Sequence, residues 1–220
     1  MAKSENKPAI GILGGTFDPV HFGHLRTGLD VVEQLGLAQL RLIPCAIPPH
    51  RHTPVASASE RRLMLELAIK NHPKLVVDDR ELSREGPSYT VDTLLSLRQD
   101  YPDNPLFVLM GSDAFCSLSS WSRWQQIPEL AHIVVMQRPD EKMQLSTELA
   151  DWYLQYQATE GDESLVAGKI WSVAVTQMAI SATMIRDALM QQKDVRYLLP
   201  DAVIALIEQL SFYQNTDSGN

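Results

Sequence analysis

The chain has 220 residues, 45% hydrophobic and 21% charged, with a formal net charge of -8 at pH 7. That length buries a core without metal or disulfide staples, and two cysteines, Cys45 and Cys116, are too few for a disulfide framework and fit a reducing compartment. The acidic balance argues against a nucleic-acid-coating protein. The polar start Met-Ala-Lys-Ser-Glu-Asn-Lys has no signal-peptide core, and no apolar run nears the roughly 20 residues of a membrane span, so a cytoplasmic protein is expected.

Residues 9 to 13 read as a buried strand, apolar without alternation, as parallel sheets require. It runs into Gly14-Gly-Thr-Phe-Asp-Pro-Val-His-Phe-Gly-His24. Leu25, Leu29, Val32 and Leu35 then recur at helical spacing, and Gly36 stops the helix. Leu40 to Pro44 is a second strand, followed by a proline-rich loop from Ile47 to Pro54 that carries His50, Arg51 and His52. Ser57-Ala-Ser-Glu60 is a capping box that opens a helix with Leu63, Leu67 and Ile69 on its apolar side, reaching about His72.

Leu75 to Val77 is a short strand, Arg80 to Pro87 a charged loop, and Tyr89 to Tyr101 a helix bearing Val91, Leu94, Leu95 and Leu97. Leu106 to Met110 is a strand ended by Gly111-Ser-Asp113, and Trp121 and Trp124 fall in a short helical or irregular stretch before the strand Ile133 to Met136. Thr147 to Tyr156 is a helix, Glu160 to Glu163 an acidic turn and Lys169 to Val175 a strand. Ser181 caps a helix running to about Gln191, and Pro200 suits the first turn of a last helix that buries Val203, Leu206, Ile207 and Leu210. The polar tail after Phe212 is expected to fray. Strands alternate with helices, without repeats or low-complexity linkers. The predicted fold is α/β, doubly wound, with a mostly parallel sheet and helices on both faces. It forms a single domain over residues 1–220, whose last helices (about 182–212) make a small C-terminal helical part.

A strand that feeds a glycine turn and a helix N-terminus is a ready phosphate site, because the backbone can approach an anion and free N–H groups favour it. No Gly-Lys-Ser/Thr follows, so this is not a P-loop, nor is it the G-x-G-x-x-G fingerprint. Paired glycines also serve as plain turn punctuation. Two histidines three apart, His21 and His24, are harder to explain as packing, because residues at that spacing share one edge of a helical turn and would both face the bound group. His50 and Arg51 read either as a solvated loop or as a phosphate contact after a strand end. Ser181, Thr183 and Arg186 read either as a cap with a surface arginine or as donors to one anion. Trp121 and Trp124 read as core or as stacking partners, and Asp113 as a helix cap or a ribose acceptor. His52, His72 and His132 show no metal-ligand spacing.

Taken together, Gly14-Gly-Thr-Phe-Asp-Pro-Val-His-Phe-Gly-His24 and Ile180-Ser-Ala-Thr-Met-Ile-Arg186 resemble the nucleotidyltransferase superfamily with the (His/Thr)-x-Gly-His signature. Within it the chain is similar to the bacterial nicotinate-nucleotide adenylyltransferases. Pro48-Pro-His-Arg51, Pro87-Ser-Tyr-Thr90, Gly111-Ser-Asp113, Trp121 and Arg138-Pro139 follow in that family's order across nearly the whole chain.

The resemblance implies adenylyl transfer from ATP to nicotinate mononucleotide, giving deamido-NAD and pyrophosphate in NAD biosynthesis, with no nucleic-acid or membrane partner. It assigns His21, His24 and Arg186 to catalysis, as donors to the ATP phosphates. Gly14, Gly15, Thr16, Phe17, Asp113, Ser181 and Thr183 would hold ATP. His50 and Arg51 would face the mononucleotide phosphate, Trp121 would stack on the pyridine ring, and the backbone around Tyr89, Thr90 and Ser122 would take its carboxylate. Mg2+ would be held mainly by ATP phosphates and water, with no metal-binding residues on the chain. Three positions depart from the family pattern. Cys45 stands where asparagine is common, Ala182 where a second serine is common, and Asp140 where glycine often follows Arg-Pro. Two other readings are an adenylyltransferase that prefers nicotinamide mononucleotide or another phosphate acceptor, and a non-catalytic nucleotide-binding module.

Overall fold

The computed structural model describes residues 7–48, 53–137, 143–162 and 165–213. Among them, six strands form one sheet: β1 (Ile10–Gly15), β2 (Gln39–Pro44), β3 (Leu75–Val77), β4 (Leu106–Gly111), β5 (His132–Gln137) and β6 (Ile170–Ala174). Their order is β3-β2-β1-β4-β5-β6 and every neighbouring pair is parallel, so the mostly parallel expectation becomes a wholly parallel sheet. The chain builds outward from β1 in one direction, then returns to β4 and builds in the other. The crevice between the carboxyl ends of β1 and β4 is where open sheets of this order take ligands.

The helices are α1 (Phe22–Gln34), α2 (Ala58–Ala68), α3 (Thr90–Asp100), α4 (Ser112–Cys116), α5 (Ile127–Leu130), α6 (Thr147–Tyr156), α7 (Ala182–Met190) and α8 (Asp201–Gln209). Side chains along a strand alternate between faces, so an unbroken apolar run feeds two cores. Leu13, Phe107, Leu109 and Val134 join Val31, Val32, Met64, Leu65, Ile185 and Ile207 under α1, α2, α7 and α8. Ile10, Ile12, Val108 and Val135 join Leu94, Leu97, Phe115, Ile127 and Leu149 under α3 to α6. No helix of the described residues is long and apolar enough to cross a membrane.

Several boundaries differ from expectation. In α2 the capping box forms, with Ser57 accepting from the Glu60 N–H, but the buried residues are Arg61, Met64 and Leu65, while Leu63 is exposed. The helix ends at Ala68, well short of His72, and Asn71 turns the chain at φ 66. Hydrophobic periodicity cannot register a buried arginine, and that is why the expected face was rotated. Leu210 is exposed rather than buried. Pro200 caps α8 instead of sitting in its first turn. The expected fraying after Phe212 is overturned at Tyr213, which is only 6% exposed.

Candidate active site

At the carboxyl end of β1, Gly14 is exposed, Gly15 and Thr16 are half-buried, and the chain swings through Phe17 at φ 51. The Phe17 ring is 1% exposed and meets the His24 ring edge-on with centroids 5.0 Å apart, so the side chain props the turn from beneath. Asp18 is buried. Its carboxylate accepts from the Val55 N–H at 2.8 Å, the Ala56 N–H at 3.1 Å and the Tyr213 hydroxyl. Beside it the guanidinium of Arg61, 1% exposed, donates to the carbonyls of Thr16 at 2.7 Å, Cys45 at 2.8 Å and Ala56 at 3.2 Å. The glycine turn is therefore held from behind by buried charge.

His21 is the residue that caps α1, and the two imidazoles stack with centroids 3.7 Å apart at 25° instead of standing side by side towards the crevice. The reason is local. At the helix mouth the His21 ring folds beneath the first turn, against Gly23, where a Cβ would come within 2.9 Å of its Cε1 and Nδ1. His21 is 5% exposed, its Nδ1 is enclosed without a partner, and burial pushes its pKa down to about 4. It is uncharged at neutral pH. His24 is half-buried, and its Nδ1 faces the His21 N–H at 3.4 Å. An acceptor at Nδ1 puts the proton of a neutral ring on Nε2, which makes that atom a donor.

α7 begins beside α1: the Ile180 carbonyl lies 3.4 Å from the position a Cβ on Gly23 would take. Ser181 caps α7 through its hydroxyl, which accepts from the Met184 N–H at 3.1 Å. Arg186, just over a turn further on, donates from Nη1 to the Asp18 carbonyl at 2.7 Å and from Nη2 to the Thr183 hydroxyl at 3.2 Å. Two helix N-termini, a histidine donor and a guanidinium thus meet around one turn, an arrangement suited to a polyanion. An open groove of about 620 Å³ runs along α7 from Ser181 and Thr183 to Lys193, beside the histidine pair rather than at it.

Across the crevice, Asp113 is exposed in the first turn of α4, directly after β4. Tyr89 and Thr90 open α3, whose start is docked on the segment after β2: the Ser88 hydroxyl accepts from the Ala46 N–H at 2.9 Å and the Ser88 N–H donates to the Ile47 carbonyl at 3.0 Å. Arg123 donates to the Asp92 carboxylate at 2.7 Å, which ties the Trp121-Ser122 stretch to the first turn of α3. Trp124 is core, edge-on to Trp152, whereas Trp121 is half-buried and packs against the edge of the same core. His50, Arg51 and His52 lie outside the described residues, as do Arg138, Pro139, Asp140 and Glu163.

Residues 12–188 match the family model described as cytidylyltransferase-like. The chain belongs to that family. It is 45% identical to a protein of Aeromonas salmonicida over 94% of this chain and 98% of that one, and 47% identical to one of Methylococcus capsulatus over 93% and 99%. Both carry the name "Probable nicotinate-nucleotide adenylyltransferase". The fold is similar to that of Plasmodium falciparum nicotinic acid mononucleotide adenylyltransferase complexed with NaAD. The TM-score is 0.72 at 19% identity, covering 94% of this chain and 97% of that one.

In this cytidylyltransferase-like chain, three residues that hold the site escaped the sequence reading: Asp18, Arg61 and Tyr213. Arg61 had a usable signal, since it shares the i, i+3, i+4 spacing of Met64 and Leu65. Tyr213 had none, because its partner lies at the other end of the chain. Cys45 is buried, with Sγ 3.8 Å from the Thr16 hydroxyl, and burial pushes its thiol pKa up, so it fills space behind the turn. Ala182 is the first residue of α7. Among the described residues no group of three or more His, Cys, Asp or Glu is placed to hold a metal ion. The donors at the turn are N–H groups, hydroxyls and a guanidinium, which suit phosphate oxygens rather than a bare cation.

Proposed function

We propose that the chain transfers the adenylyl group of ATP to nicotinate mononucleotide, producing deamido-NAD and pyrophosphate in the cytoplasm. The observation that carries this reading is the meeting of Arg186 with the loop that ends in His21 and His24. The relatives' shared name supports the choice of acceptor. A phosphate oxygen of the mononucleotide attacks the α-phosphorus of ATP, a new P–O bond forms, and the bond to the β-phosphate breaks as pyrophosphate leaves. That oxygen is already anionic near pH 7, so no protein base is required. Catalysis is then positioning plus neutralisation of charge on the phosphates.

In this reading the Nε2–H of His24 and the guanidinium of Arg186 donate to phosphate oxygens. His21, neutral and stacked on His24, fixes that ring. Backbone N–H groups of Gly14 to Phe17, together with Ser181 and Thr183, cradle the triphosphate, and Asp113 accepts from the ribose. Trp121 stacks on the pyridine ring, N–H groups near Tyr89, Thr90 and Ser122 take its carboxylate, and His50 and Arg51 meet the mononucleotide phosphate. Mg2+ enters as part of MgATP, held by phosphates and water and not by a protein cage.

Steady-state rates with nicotinate and nicotinamide mononucleotides test the acceptor. Pyrophosphate release at least tenfold faster with the nicotinate form is expected, because neutral donors favour a carboxylate over an amide that presents its own hydrogens. A preference for the amide would move the assignment to the other mononucleotide, and no pyrophosphate with either would leave a binding module.

A further inference from the structure

We infer that Tyr213 is a positioning residue for adenylyl transfer, acting through Asp18 on Arg186; this rests on the reaction proposed above. Tyr213 is the last described residue, yet it is buried, and its hydroxyl donates to Asp18 Oδ1 at 2.5 Å across 195 positions of chain. The peptide carbonyl of the same aspartate receives Arg186 Nη1 at 2.7 Å. One residue thus takes the C-terminal hydroxyl on its side chain and the triphosphate clamp on its backbone. Movement of Asp18 would move the acceptor that orients Arg186, and would also shift the loop leading to His21.

Simple space-filling would need only the ring. Here a hydroxyl is delivered to the same Asp18 oxygen that accepts the Ala56 N–H, a bond phenylalanine could not make. The chain adopts unfavourable backbone to deliver it: Ser211 lies at φ 54 and Tyr213 at φ 58, left-handed conformations that side chains disfavour. Between them the Phe212 N–H closes the end of α8 on the Ile207 carbonyl at 3.0 Å. Burial and the facing Asp18 carboxylate push the tyrosine pKa up, so it stays a proton donor throughout the working range. The Ala56 N–H donates to the same Oδ1 and the Val55 N–H to Oδ2, so without the tyrosine the carboxylate keeps those two backbone donors and loses its link to α8.

The test is Tyr213→Phe in the full-length chain, with Ile207→Val, a buried α8 change that leaves the hydroxyl bond intact, as the comparison. Tyr213→Phe should lower kcat by roughly tenfold and weaken ATP binding by calorimetry, with KM for the mononucleotide changed less than about twofold. Ile207→Val should lower Tm while leaving kcat and ATP affinity at their wild-type values. Adding Asp18→Ala to Tyr213→Phe should cost less than the sum of the two single changes, because each removes the Tyr213–Asp18 bond. Wild-type kcat and ATP affinity in Tyr213→Phe, or losses no larger than those of Ile207→Val, would overturn the inference. If the wild-type chain itself releases no pyrophosphate with nicotinate mononucleotide, the acceptor assignment fails, and the ATP affinities still decide the role of Tyr213.

Discussion

The guanidinium of Arg186 donates to the carbonyl oxygen of Asp18 at 2.7 Å, closing a contact across 168 positions of chain. Two motifs at opposite ends of the sequence become one site through this bond. A guanidinium that spends one N–H on a fixed carbonyl, and another on the Thr183 hydroxyl, keeps its remaining donors in a set plane.

Arg186→Lys should therefore behave as a loss rather than a conservative change, since an ammonium cannot hold the carbonyl, the hydroxyl and a phosphate in one plane. Both Arg186→Lys and His24→Ala should lower kcat by about 10²–10³, the range for removing one preorganised donor. Urea midpoints should move little. Parallel, equal losses of stability and rate would mean these side chains are structural.

Gly23→Ala sets two effects against each other. Alanine in a helix gains about 0.5–1 kcal/mol over glycine. The added Cβ would stand 2.9 Å from two atoms of the His21 ring and 3.4 Å from the Ile180 carbonyl, so ring and α7 must give way. Thermal stability is expected to change by only a few degrees, with kcat down at least tenfold. Full activity in this variant would show that the histidine stack is dispensable.

Arg61→Met removes a buried cation and leaves the carbonyls of Thr16, Cys45 and Ala56 without that donor. Each buried acceptor left unpaired costs about 1–3 kcal/mol, so a loss of roughly 3 kcal/mol or more is expected from urea unfolding. Arg61→Lys should recover little of it, having no fork to span three carbonyls. A shift of a few tenths of a kcal/mol would refute this account of the turn.

The burial of His21 also fixes a pH dependence. Its native pKa is about 4 against an ordinary 6.5, so between those values the unfolded chain binds a proton that the native chain refuses. Stability is complete above about pH 6.5 and drains as pH falls towards 4, by up to about 3 kcal/mol. Burial pushes the pKa of His132 down as well, adding a loss of the same sign. Asp30 and Asp78, held below the ordinary carboxylate value of 3.8, add their losses only at lower pH. Urea midpoints between pH 7.5 and 4.5 should fall in the wild type and less steeply in His21→Asn. Identical slopes in the two proteins would exclude the assignment.

What the sequence determined by itself was local and periodic. The strand β3 and the helix α6 fall at the expected residues, the Ser57 and Ser181 caps form, and the glycine turn leads into a helix at His21, because each depends on neighbours within a few positions. Tertiary structure decided which of two equivalent-looking groups is buried and which is not. It buried Trp124 and left Trp121 half-buried at the core's edge, and it stacked His21 on His24. It also rotated α2 so that Arg61 faces the turn, and brought Tyr213 back to Asp18. Those outcomes follow from desolvation and from hydrogen bonds between distant segments, and of them only the burial of Arg61 left a trace in the spacing of residues along the chain.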